Sequence, residues 1–435
     1  MAELHPFNGI RYNPQKVENL SQVICPPYDI INPKQQEELY LRNQYNYVRV
    51  EYGKQNPGDT SSDDKYSRAT AFLEQWLEDE ILVRDKAKTI YIDDHYFIYQ
   101  KQIWKRRGIV ACVRLEEWHR MVVRPHEEIM GEPKTDRINL IRAIKANTSP
   151  ILAMYSDEQQ RIAAALEQAT ITMPHMRMGT LDGEWHNVWA ITAPAIQREI
   201  IASFESEPLY IADGHHRYES ALVYQREQIA LNQGYFPGEA FNFVMMTLVS
   251  FADPGLLLLP THRVLRGLAP TKLESLKSTL DSFFEMQEIS FNGADDWSKV
   301  DAWQIAEKRP HIALYGLSNE KMLLLALRDY EEAGSFMPSF HSDVYKQMDV
   351  SLVEHLILEK LLQIQPETED GLAFDHDRSS AVQSVRAGDF QLAFILQPLQ
   401  PAVIKEISDL ADRMPRKSTY FHPKLPSGLV TNRLV

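Results

Sequence analysis

Residues 209–217 read Leu-Tyr-Ile-Ala-Asp-Gly-His-His-Arg, and this stretch decides how the most informative part of the chain folds. Four apolar residues, 209–212, predict a short strand, and the pair Asp213-Gly214 predicts a tight turn. A segment with helical character follows over 218–231. Because the first turn of a helix presents free backbone N–H groups and a partial positive charge, this pattern predicts an anion-binding site.

The side chains around this turn suit phosphate chemistry. Gly214 lets the backbone approach a ligand closely, and Arg217 offers a forked donor for phosphate oxygens. Asp213 either caps the helix or ligates a magnesium ion that bridges phosphates. His215 and His216 contribute amides, side-chain donors or proton transfer near neutral pH. The alternative is an aspartate-capped helix with two exposed histidines.

A polar block before residue 150 is a second candidate. It supplies either a further phosphate clamp or a general base, from Arg124, His126, Glu127, Glu128, Lys134, Asp136 and Arg137. The alternative is a solvated loop, followed by a helix over 137–146 that Asp136 caps.

The segment Cys25-Pro-Pro-Tyr-Asp29 is a third candidate. Its prolines restrict the backbone and would hold Asp29 in one place, although an ordinary structural turn explains the same residues. Cys25 is not expected to be a nucleophile, because no neighbouring feature would lower the pKa of its thiol.

Two more segments lie towards the C-terminus. His262 and Arg263 follow an apolar strand, and strand ends often carry site residues; the alternative is a surface His–Arg pair. Lys417, Ser418 and Thr419 are followed by Lys424 in a tail that contains proline and glycine. These hydroxyls and lysines either close over an anion or form an ordinary C-terminal turn.

Composition narrows the classes of function. The chain has 435 residues, with 46 lysines and arginines against 60 acids, a net charge of −14. Such a balance argues against a nucleic-acid binder, which needs basic surface. Two cysteines provide neither a zinc motif nor a disulfide framework. We find neither a signal peptide nor an apolar run of membrane-spanning length, so we expect a cytoplasmic protein. Walker-A, dinucleotide, zincin and nucleophile-elbow motifs are also missing.

Periodicity along the chain indicates an α+β protein with mixed sheets. The strand-like runs at 89–99 and 108–115 read as an antiparallel hairpin joined through basic residues 101–107. The pattern changes near 267–272, where we expect a domain boundary. Predicted helices cover 66–77, 137–146, 158–168, 194–203, 218–231 and about 272–284, and other predicted strands cover 151–155, 185–191, 241–249, 256–259 and 311–315.

Taken together, the motifs resemble those of the bacterial and archaeal domain-of-unknown-function family 1015 over essentially the full length. The matching stretches, in order, are 6–12 (Pro-Phe-Asn-Gly-Ile-Arg-Tyr), 25–29 (Cys-Pro-Pro-Tyr-Asp), 46–49 (Asn-Tyr-Val-Arg), 125–127 (Pro-His-Glu), 133–137 (Pro-Lys-Thr-Asp-Arg), 147–150 (Asn-Thr-Ser-Pro), 212–219 (Ala-Asp-Gly-His-His-Arg-Tyr-Glu), 260–263 (Pro-Thr-His-Arg) and 417–421 (Lys-Ser-Thr-Tyr-Phe).

The resemblance implies a fold and an activity. The Asp-Gly-His-His-Arg stretch is similar to the phosphate-binding turn of the ParB/sulfiredoxin-like fold and of free serine kinases, with His216 where those kinases have threonine. It implies a ParB/sulfiredoxin-like catalytic region over 1–268 and a C-terminal α+β domain over 269–435, whose tail packs back on the site. The implied enzyme is a small-molecule kinase, a phosphotransferase that converts L-serine to O-phosphoserine with Mg²⁺ and ATP, ADP or pyrophosphate as donor.

Roles follow from that expectation. The donor phosphates would be held at the turn by Gly214, His215, His216 and Arg217, with Asp213 binding magnesium or orienting a histidine. Asp29, Glu51 or Glu127 would take the hydroxyl proton, and the prolines make Asp29 the first choice. Lys134 and Arg137 would neutralise charge on the transferred group.

Two other classes compete with the kinase. A non-catalytic nucleotide-binding regulator of the ParB type would use the same turn without an acceptor site, but its DNA-binding helices should bring basic surface. A sulfiredoxin-like reductase needs a cysteine in the turn, where this chain has His215. We therefore expect a small-molecule substrate, with no nucleic-acid or membrane partner.

Overall fold

The computed structural model describes residues 1–128, 131–180, 183–205, 207–232, 236–318, 320–364 and 371–435, without the side chains of 131–134 and 294. At 37% helix and 27% strand, the protein is a mixed α+β structure with several sheets, as the sequence predicts. Its contacts group into two compact units. Unit 1 comprises Met1–Pro125, Ile129–Leu257 and Pro423–Val435, and unit 2 comprises His126–Glu128 and Leu258–His422.

Unit 1 is built on a sheet that has nine strands within the described residues. Most neighbours are antiparallel, but Leu209–Asp213 runs parallel to Val123–Arg124, and Phe243–Ser250 runs parallel to Ile151–Tyr155. The order across the sheet is Val123–Arg124, Leu209–Asp213, Ile151–Tyr155, Phe243–Ser250, Gln102–Arg114, Ile90–Tyr99, Trp185–Ile191 and Met176–Gly179, with Leu4–His5 also paired to Gln102–Arg114.

Both faces of this sheet are buried. Along the strand Gln102–Arg114, Ile109 and Ala111 pack into one hydrophobic cluster, whereas Val110 and Cys112 pack into another. Successive strand residues point to opposite faces, so one strand contributes to two cores.

Helices and short strands complete unit 1. Its α-helices are Pro33–Arg42, Val48–Glu51, Lys65–Glu78, Gly131–Ile144, Arg161–Ala169, Pro194–Ser203 and His215–Leu231, and its 3-10 helices are Leu20–Gln22, Tyr28–Ile30, Trp118–Arg120 and Ala240–Asn242. Two small ladders join Ile10–Tyr12 to Leu82–Arg84 and Asn432–Arg433 to Ala146–Asn147. The second ladder fixes the C-terminal tail against the middle of the unit 1 sequence.

Unit 2 has its own antiparallel sheet of six strands, counted over the part of the chain that is described. Their order is Phe284–Ser290, Lys321–Leu327, His311–Tyr315, Leu392–Ile395, His262–Leu265 and Leu372–Asp375. Its helices are Pro270–Phe283, Ala294–Asp296 (3-10), Trp297–Ala306, Tyr330–Gly334, Asp343–Gln347, Asp349–Ser351, Leu352–Leu361 (π), Arg378–Arg386 and Pro401–Asp409, and two further short strands are Leu257–Leu259 and Tyr420–His422.

Several predicted elements are confirmed residue for residue, namely Ile151–Tyr155, Trp185–Ile191, Pro194–Ser203 and His311–Tyr315. None of the helices that the structure describes has the length and hydropathy of a membrane span.

The predicted hairpin connection is wrong. Residues 102–107 belong to the strand Gln102–Arg114, and the turn is confined to Gln100 and Lys101, both at positive φ. The basic residues are accommodated in the strand because they have partners across the hairpin: Arg107 donates to Asp94 with Nε at 2.6 Å and Nη2 at 2.7 Å. The alternation of apolar and polar residues did not indicate a strand over 102–107, because several of these residues are charged.

Asp136 does not cap a helix. The helix spans Gly131–Ile144, so Asp136 lies inside it and accepts from Lys65 Nζ at 2.5 Å and Arg137 Nε at 2.9 Å. Burial would raise the pKa of Asp136, but the charges of Arg137 and Lys65 outweigh it and lower the pKa to about 2. Asp136 therefore forms ion pairs instead of capping a helix, because Lys65 and Arg137 both lie within hydrogen-bond distance of its carboxylate.

The division between the units falls after Leu257 rather than near 267–272. The reason is the strand His262–Leu265, which pairs with Leu372–Asp375 and Leu392–Ile395 and so belongs to the second sheet.

A glycine in unit 2 provides a test of this architecture. Gly316 has φ +116, and a Cβ there would run into the carbonyl oxygen of Gln391. We expect Gly316→Ala to destabilise the protein by about 3 kcal/mol, since backbone strain and overlap with backbone add. Urea unfolding measures the change. Gly388→Ala is the matched control: φ is +82 but the space is open, so only about 1 kcal/mol of strain is expected. Equal losses would contradict the close approach.

Candidate functional site

The predicted strand, turn and helix are present in unit 1. The strand Leu209–Asp213 lies between Ile151–Tyr155 and Val123–Arg124, and its register shifts between Ile211 and Asp213. Gly214 follows with φ +98 and is the N-cap of the helix His215–Leu231. That helix begins three residues before the predicted start, because its first turn is polar and lacks the apolar spacing that marks the rest.

The guanidinium of Arg217 lies directly over the turn. A Cβ on Gly214 would come within 2.8 Å of Nε and 3.0 Å of Cζ of Arg217. Nη1 donates to the carbonyl of Pro150 at 2.5 Å, whereas the buried Nε has no hydrogen-bond partner within the described ranges. Glycine at the N-cap is thus required for space as well as for φ, and it leaves the helix N-terminus without a capping side chain.

Asp213 is held by two cations. Its carboxylate accepts hydrogen bonds from Arg217 and from Lys424, a residue of the C-terminal tail. The Lys424 ammonium also lies 4.0 Å from Oδ2 of Asp29. Burial would raise the pKa of Asp213, but the charges of Lys424 and Arg217 outweigh it and hold the pKa below its usual range. Asp213 is therefore a carboxylate at neutral pH.

A second buried ion pair joins Glu51 and Arg137. Glu51 is fully buried, and its Oε1 accepts from Ser149 Oγ at 3.2 Å and from Arg137 Nη1 at 3.4 Å. Its Oε2 is buried and finds no hydrogen-bond partner among the described residues. The Arg137 guanidinium stacks over the ring of Tyr28 at 3.9 Å. A buried carboxylate oxygen without a donor is costly, and it marks a place where a ligand donor would fit.

These two pairs form one group. Burial would lower the pKa of Arg217, but the charges of Asp213, Asp29 and Glu51 raise it. A cavity of about 40 Å³ is lined by both Arg137 and Arg217, together with Thr148 and Ser149, and it has room for about three water molecules. We call the group the site cluster; its members are Tyr28, Asp29, Glu51, Arg137, Ser149, Asp213, Gly214, Arg217 and Lys424.

Eight of the residues predicted from sequence lie in or beside the site cluster. Asp29, Glu51, Arg137, Asp213, Gly214 and Arg217 are members, and His215 is buried in the first turn of the helix. His216 is half-buried in the same turn. Lys134 belongs to the helix Gly131–Ile144, but its side chain lies outside the described residues.

Arg124 lies in unit 1 on the strand Val123–Arg124, and Asp136 lies in the helix Gly131–Ile144, whereas the remaining predicted residues belong to unit 2. Oε1 of Glu127 accepts from the backbone N–H groups of Ser418 and Thr419, each at 3.1 Å, and from the Thr419 hydroxyl at 3.0 Å. His126 Nε2 lies 2.9 Å from the same hydroxyl. Lys417 is exposed, with φ +55. The Pro-His-Glu segment thus anchors the Lys-Ser-Thr segment, and Oε1 of Glu127 is already engaged.

His262 and Arg263 are core residues of unit 2. The ring Nδ1 of His262 accepts from the N–H of Leu396 at 3.1 Å, and burial lowers its pKa to about 3. Arg263 is fully buried, donates to the carbonyl of Thr261 at 2.6 Å, and has its pKa lowered by burial to about 10. Both side chains therefore make hydrogen bonds to the backbone within the core of unit 2.

Tyr28 and Ser149 are the members that sequence reasoning did not name as site residues, and Lys424 was named only as one of the lysines that could close over an anion, without Asp213 as its partner. Lys424 follows the Lys-Ser-Thr-Tyr-Phe motif, but 211 positions separate it from Asp213, and no local pattern connects them. Tyr28 stands in the motif that carries Asp29, and Ser149 in the motif Asn-Thr-Ser-Pro. Residence in a shared family motif was the one available signal.

A histidine cluster in unit 1 was also missed. His95, Glu184 and His186 offer donor atoms within 4.8 Å of one another. However, the two rings are stacked, with centroids 4.0 Å apart and planes at 16°, and Arg106 contacts His95 Nδ1 at 3.2 Å. Parallel rings direct their lone pairs side by side rather than towards one point, which does not suit a tetrahedral metal.

Comparison with known proteins identifies the family. Residues 4–351 match the sequence profile of a family described as "Protein of unknown function (DUF1015)". The chain belongs to the DUF1015 family. This confirms the resemblance that the motifs predicted. No curated protein matches this DUF1015 chain.

Solved structures similar to this DUF1015 protein are distant. A conserved hypothetical protein from Pyrococcus furiosus is 14% identical, with 70% of this chain and 90% of that chain covered and a TM-score of 0.34. Free serine kinase in complex with AMP is 13% identical over 69% and 83%, TM-score 0.33. SbnI with C-terminal truncation from Staphylococcus aureus is 10% identical over 73% and 85%, TM-score 0.34. At TM-scores this low the alignments do not establish a shared fold, and function has to be argued from the site cluster.

The buried histidine of unit 2 gives a pH prediction. Because the pKa of His262 is about 3 in the folded chain and about 6.5 unfolded, its stabilisation is present above about pH 6.5 and is lost as pH falls. Between about pH 7 and pH 5 it should remove about 2 kcal/mol. His262→Asn keeps an acceptor for Leu396 but does not titrate, so urea unfolding of that variant should lack this loss. His119→Asn, at an exposed position, should keep the parental pH dependence. Identical slopes for His262→Asn and the parent would refute the assignment.

Proposed function

We propose that this DUF1015 protein is a small-molecule phosphotransferase that transfers a phosphoryl group to the hydroxyl of a free amino acid, with L-serine as acceptor. The observation that carries the proposal is the site cluster: three buried or nearly buried cations, Arg137, Arg217 and Lys424, gathered at a glycine-capped helix N-terminus beside carboxylates. Phosphoryl transfer is catalysed mainly by positioning and by charge stabilisation, so such a group has the required chemistry.

The donor phosphates would be held at the turn. The backbone N–H groups that open the helix after Gly214 point along its axis, where the helix dipole favours an anion. The Nε of Arg217, buried over Gly214, would supply a donor to a phosphate oxygen. ATP, ADP and pyrophosphate each contain a diphosphate group that would bind at this turn, and all three are candidate donors.

The charges of the site cluster argue for a metal ion. Three cations face three carboxylates, Asp29, Glu51 and Asp213, so the cluster is neutral before a donor arrives. A polyphosphate would make it strongly negative. The carboxylate of Asp213 suits Mg²⁺, which prefers oxygen ligands, and it already binds a cation, Lys424. Asp213 would hold Mg²⁺, which would neutralise charge on the donor phosphates.

The acceptor half fits a zwitterion. Oε2 of Glu51 is buried without a donor, and an ammonium group would provide one. The neighbouring Arg137 guanidinium offers the forked geometry that binds a carboxylate. A free amino acid carries both groups, whereas a protein serine carries neither at the same carbon. This favours a free amino acid as substrate.

Asp29 is our choice for the general base. Its side chain is 28% exposed, so substrate can reach it, and it follows two prolines that restrict its backbone. In the step, the serine oxygen bonds to phosphorus, the bond from phosphorus to the leaving phosphate oxygen breaks, and the hydroxyl proton passes to the Asp29 carboxylate. Glu51 and His216 are the alternatives within unit 1.

The direct test incubates the full chain with L-serine, Mg²⁺ and each donor separately, and detects O-phosphoserine by mass spectrometry. Asp29→Asn should lower kcat by about a hundredfold with KM nearly unchanged. Asp79→Asn, which changes an exposed carboxylate outside the cluster, is the control. Nucleotide binding without product from any donor, over a range of amino acids, would exclude the kinase and favour a non-catalytic nucleotide-binding protein.

The turn itself gives a second prediction. Gly214→Ala adds a Cβ in the space of Arg217 and forces alanine to φ +98. Displacing the guanidinium should raise the KM for the donor and cut kcat/KM by about a hundredfold. Gly183→Ala has φ +81 in open space and should keep activity while carrying similar strain. Full activity of Gly214→Ala would show that this turn does not hold the donor.

A further inference from the structure

A second, larger cavity lies in unit 1 and is lined by Phe243 and by Asn432 and Arg433 of the C-terminal tail, among others. Its volume is about 430 Å³, and it shares no lining residue with the cavity beside Arg137 and Arg217. Pockets of roughly 300–1,000 Å³ are the size that holds small organic ligands. The proposed phosphoryl transfer assigns no role to it.

The lining of this cavity is basic. It includes Arg84, Lys88, Arg114 and Arg433, and it includes no aspartate or glutamate among the residues described there. The chain as a whole carries 60 acids against 46 bases, so four basic side chains around one concavity run against its composition. A concave site of one charge sign concentrates its field and attracts the opposite ion.

The four cations differ in whether they already have an ion-pair partner. Arg114 donates to Glu3, with Nη2 at 2.8 Å, and Arg433 Nη1 donates to Glu74 at 2.7 Å. Arg84 and Lys88 are exposed, and neither side chain has a hydrogen-bond or ion-pair partner in the described part of the chain. Arg114 and Arg433 are therefore already paired with carboxylates, whereas the N–H groups of Arg84 and Lys88 are available to a ligand.

An aromatic surface accompanies the charge. The ring of Phe243 has the His5 ring 4.5 Å away on one side, and the Arg114 guanidinium lies 4.7 Å from its centre. Phe7, buried, also lines the cavity. Rings flanked by guanidinium groups suit a flat apolar body that carries negative charge at its edge.

We propose that this cavity is a second ligand site of the protein, which binds a small organic anion with an aromatic or otherwise flat body and at least two negative charges. Arg84 and Lys88 bind the anionic group, and Phe243 with Phe7 contacts the flat body. Carboxylate and phosphate groups share this chemistry. The inference stands whether or not the site cluster transfers phosphate, since the two cavities are lined by different residues.

The C-terminal tail takes part in both places. Asn432 and Arg433 line this cavity and pair with the strand Ala146–Asn147, while Lys424 of the same tail binds Asp213. A ligand that contacts Arg433 therefore touches the segment that supplies a cation to the site cluster.

Isothermal titration calorimetry of the full chain tests the proposal with three probes of one shape: phenyl phosphate, phthalate and neutral benzyl alcohol. The expected result is saturable binding of phenyl phosphate, of phthalate or of both, and none of benzyl alcohol; comparison of the two anions separates phosphate from carboxylate ligands. Lys88→Ala and Arg84→Ala should each weaken the binding about tenfold. Lys86→Ala removes an exposed lysine of the same segment that does not line the cavity, and should leave the binding unchanged.

Other outcomes overturn the proposal. Failure of both anions to bind, or equal weakening by Lys86→Ala and Lys88→Ala, would show that the cavity has no specific anion site. Loss of binding in Gly214→Ala would assign the probe to the turn instead. Binding that survives Gly214→Ala supports the cavity even if no O-phosphoserine is ever formed, so this test and that of the kinase fail independently.

Discussion

The ion pairs that Asp213 makes with Arg217 and Lys424 are the constraint on which the site depends. All three side chains are at most 16% exposed, and removing one partner from such a group leaves a buried charge uncompensated. The pairing joins the turn after the strand Leu209–Asp213 to a tail 211 residues later in the chain. The ion pair with Lys424 therefore ties Pro423–Val435 to the rest of unit 1, although the whole of unit 2 comes before this segment in the sequence.

A neighbouring contact strengthens the same closure. The carbonyl of Pro423 accepts from the fully buried Arg106 at 2.9 Å, directly before Lys424. Arg106 in turn contacts His95, whose other ring nitrogen lies 2.8 Å from Glu184. The position of Lys424 is thus fixed through both its side chain and the preceding carbonyl. A cation held in this way would lose little freedom on binding the proposed phosphate donor, which is the condition for effective electrostatic stabilisation.

Local patterns predicted the local part of this arrangement. The strand, glycine turn and helix at 209–231 follow from apolar spacing and turn chemistry, and they are present. Polar residues hid two boundaries: the helix begins at His215, and the strand Gln102–Arg114 includes a basic run because Asp94 lies opposite Arg107. Asp136 was assigned to a cap because its cationic partner Lys65 lies 71 positions away. The ion pair between Lys424 and Asp213 was missed for the same reason, since ion pairs between distant segments leave no periodic signal.

Net charge also means something different at the surface and inside the fold. A chain with a charge of −14 repels polyanions at long range, yet charges more than about 10 Å apart are largely screened at physiological salt. Buried or concave cations act over a few ångströms in a medium of lower dielectric constant, where each is worth several times its value in water. The cations of the site cluster are of this kind, since the side chains of Arg137, Arg217 and Lys424 are each at most 10% exposed. An acidic protein can therefore bind small anions strongly, because a small ligand meets the local cations and only a long polyanion meets the whole surface.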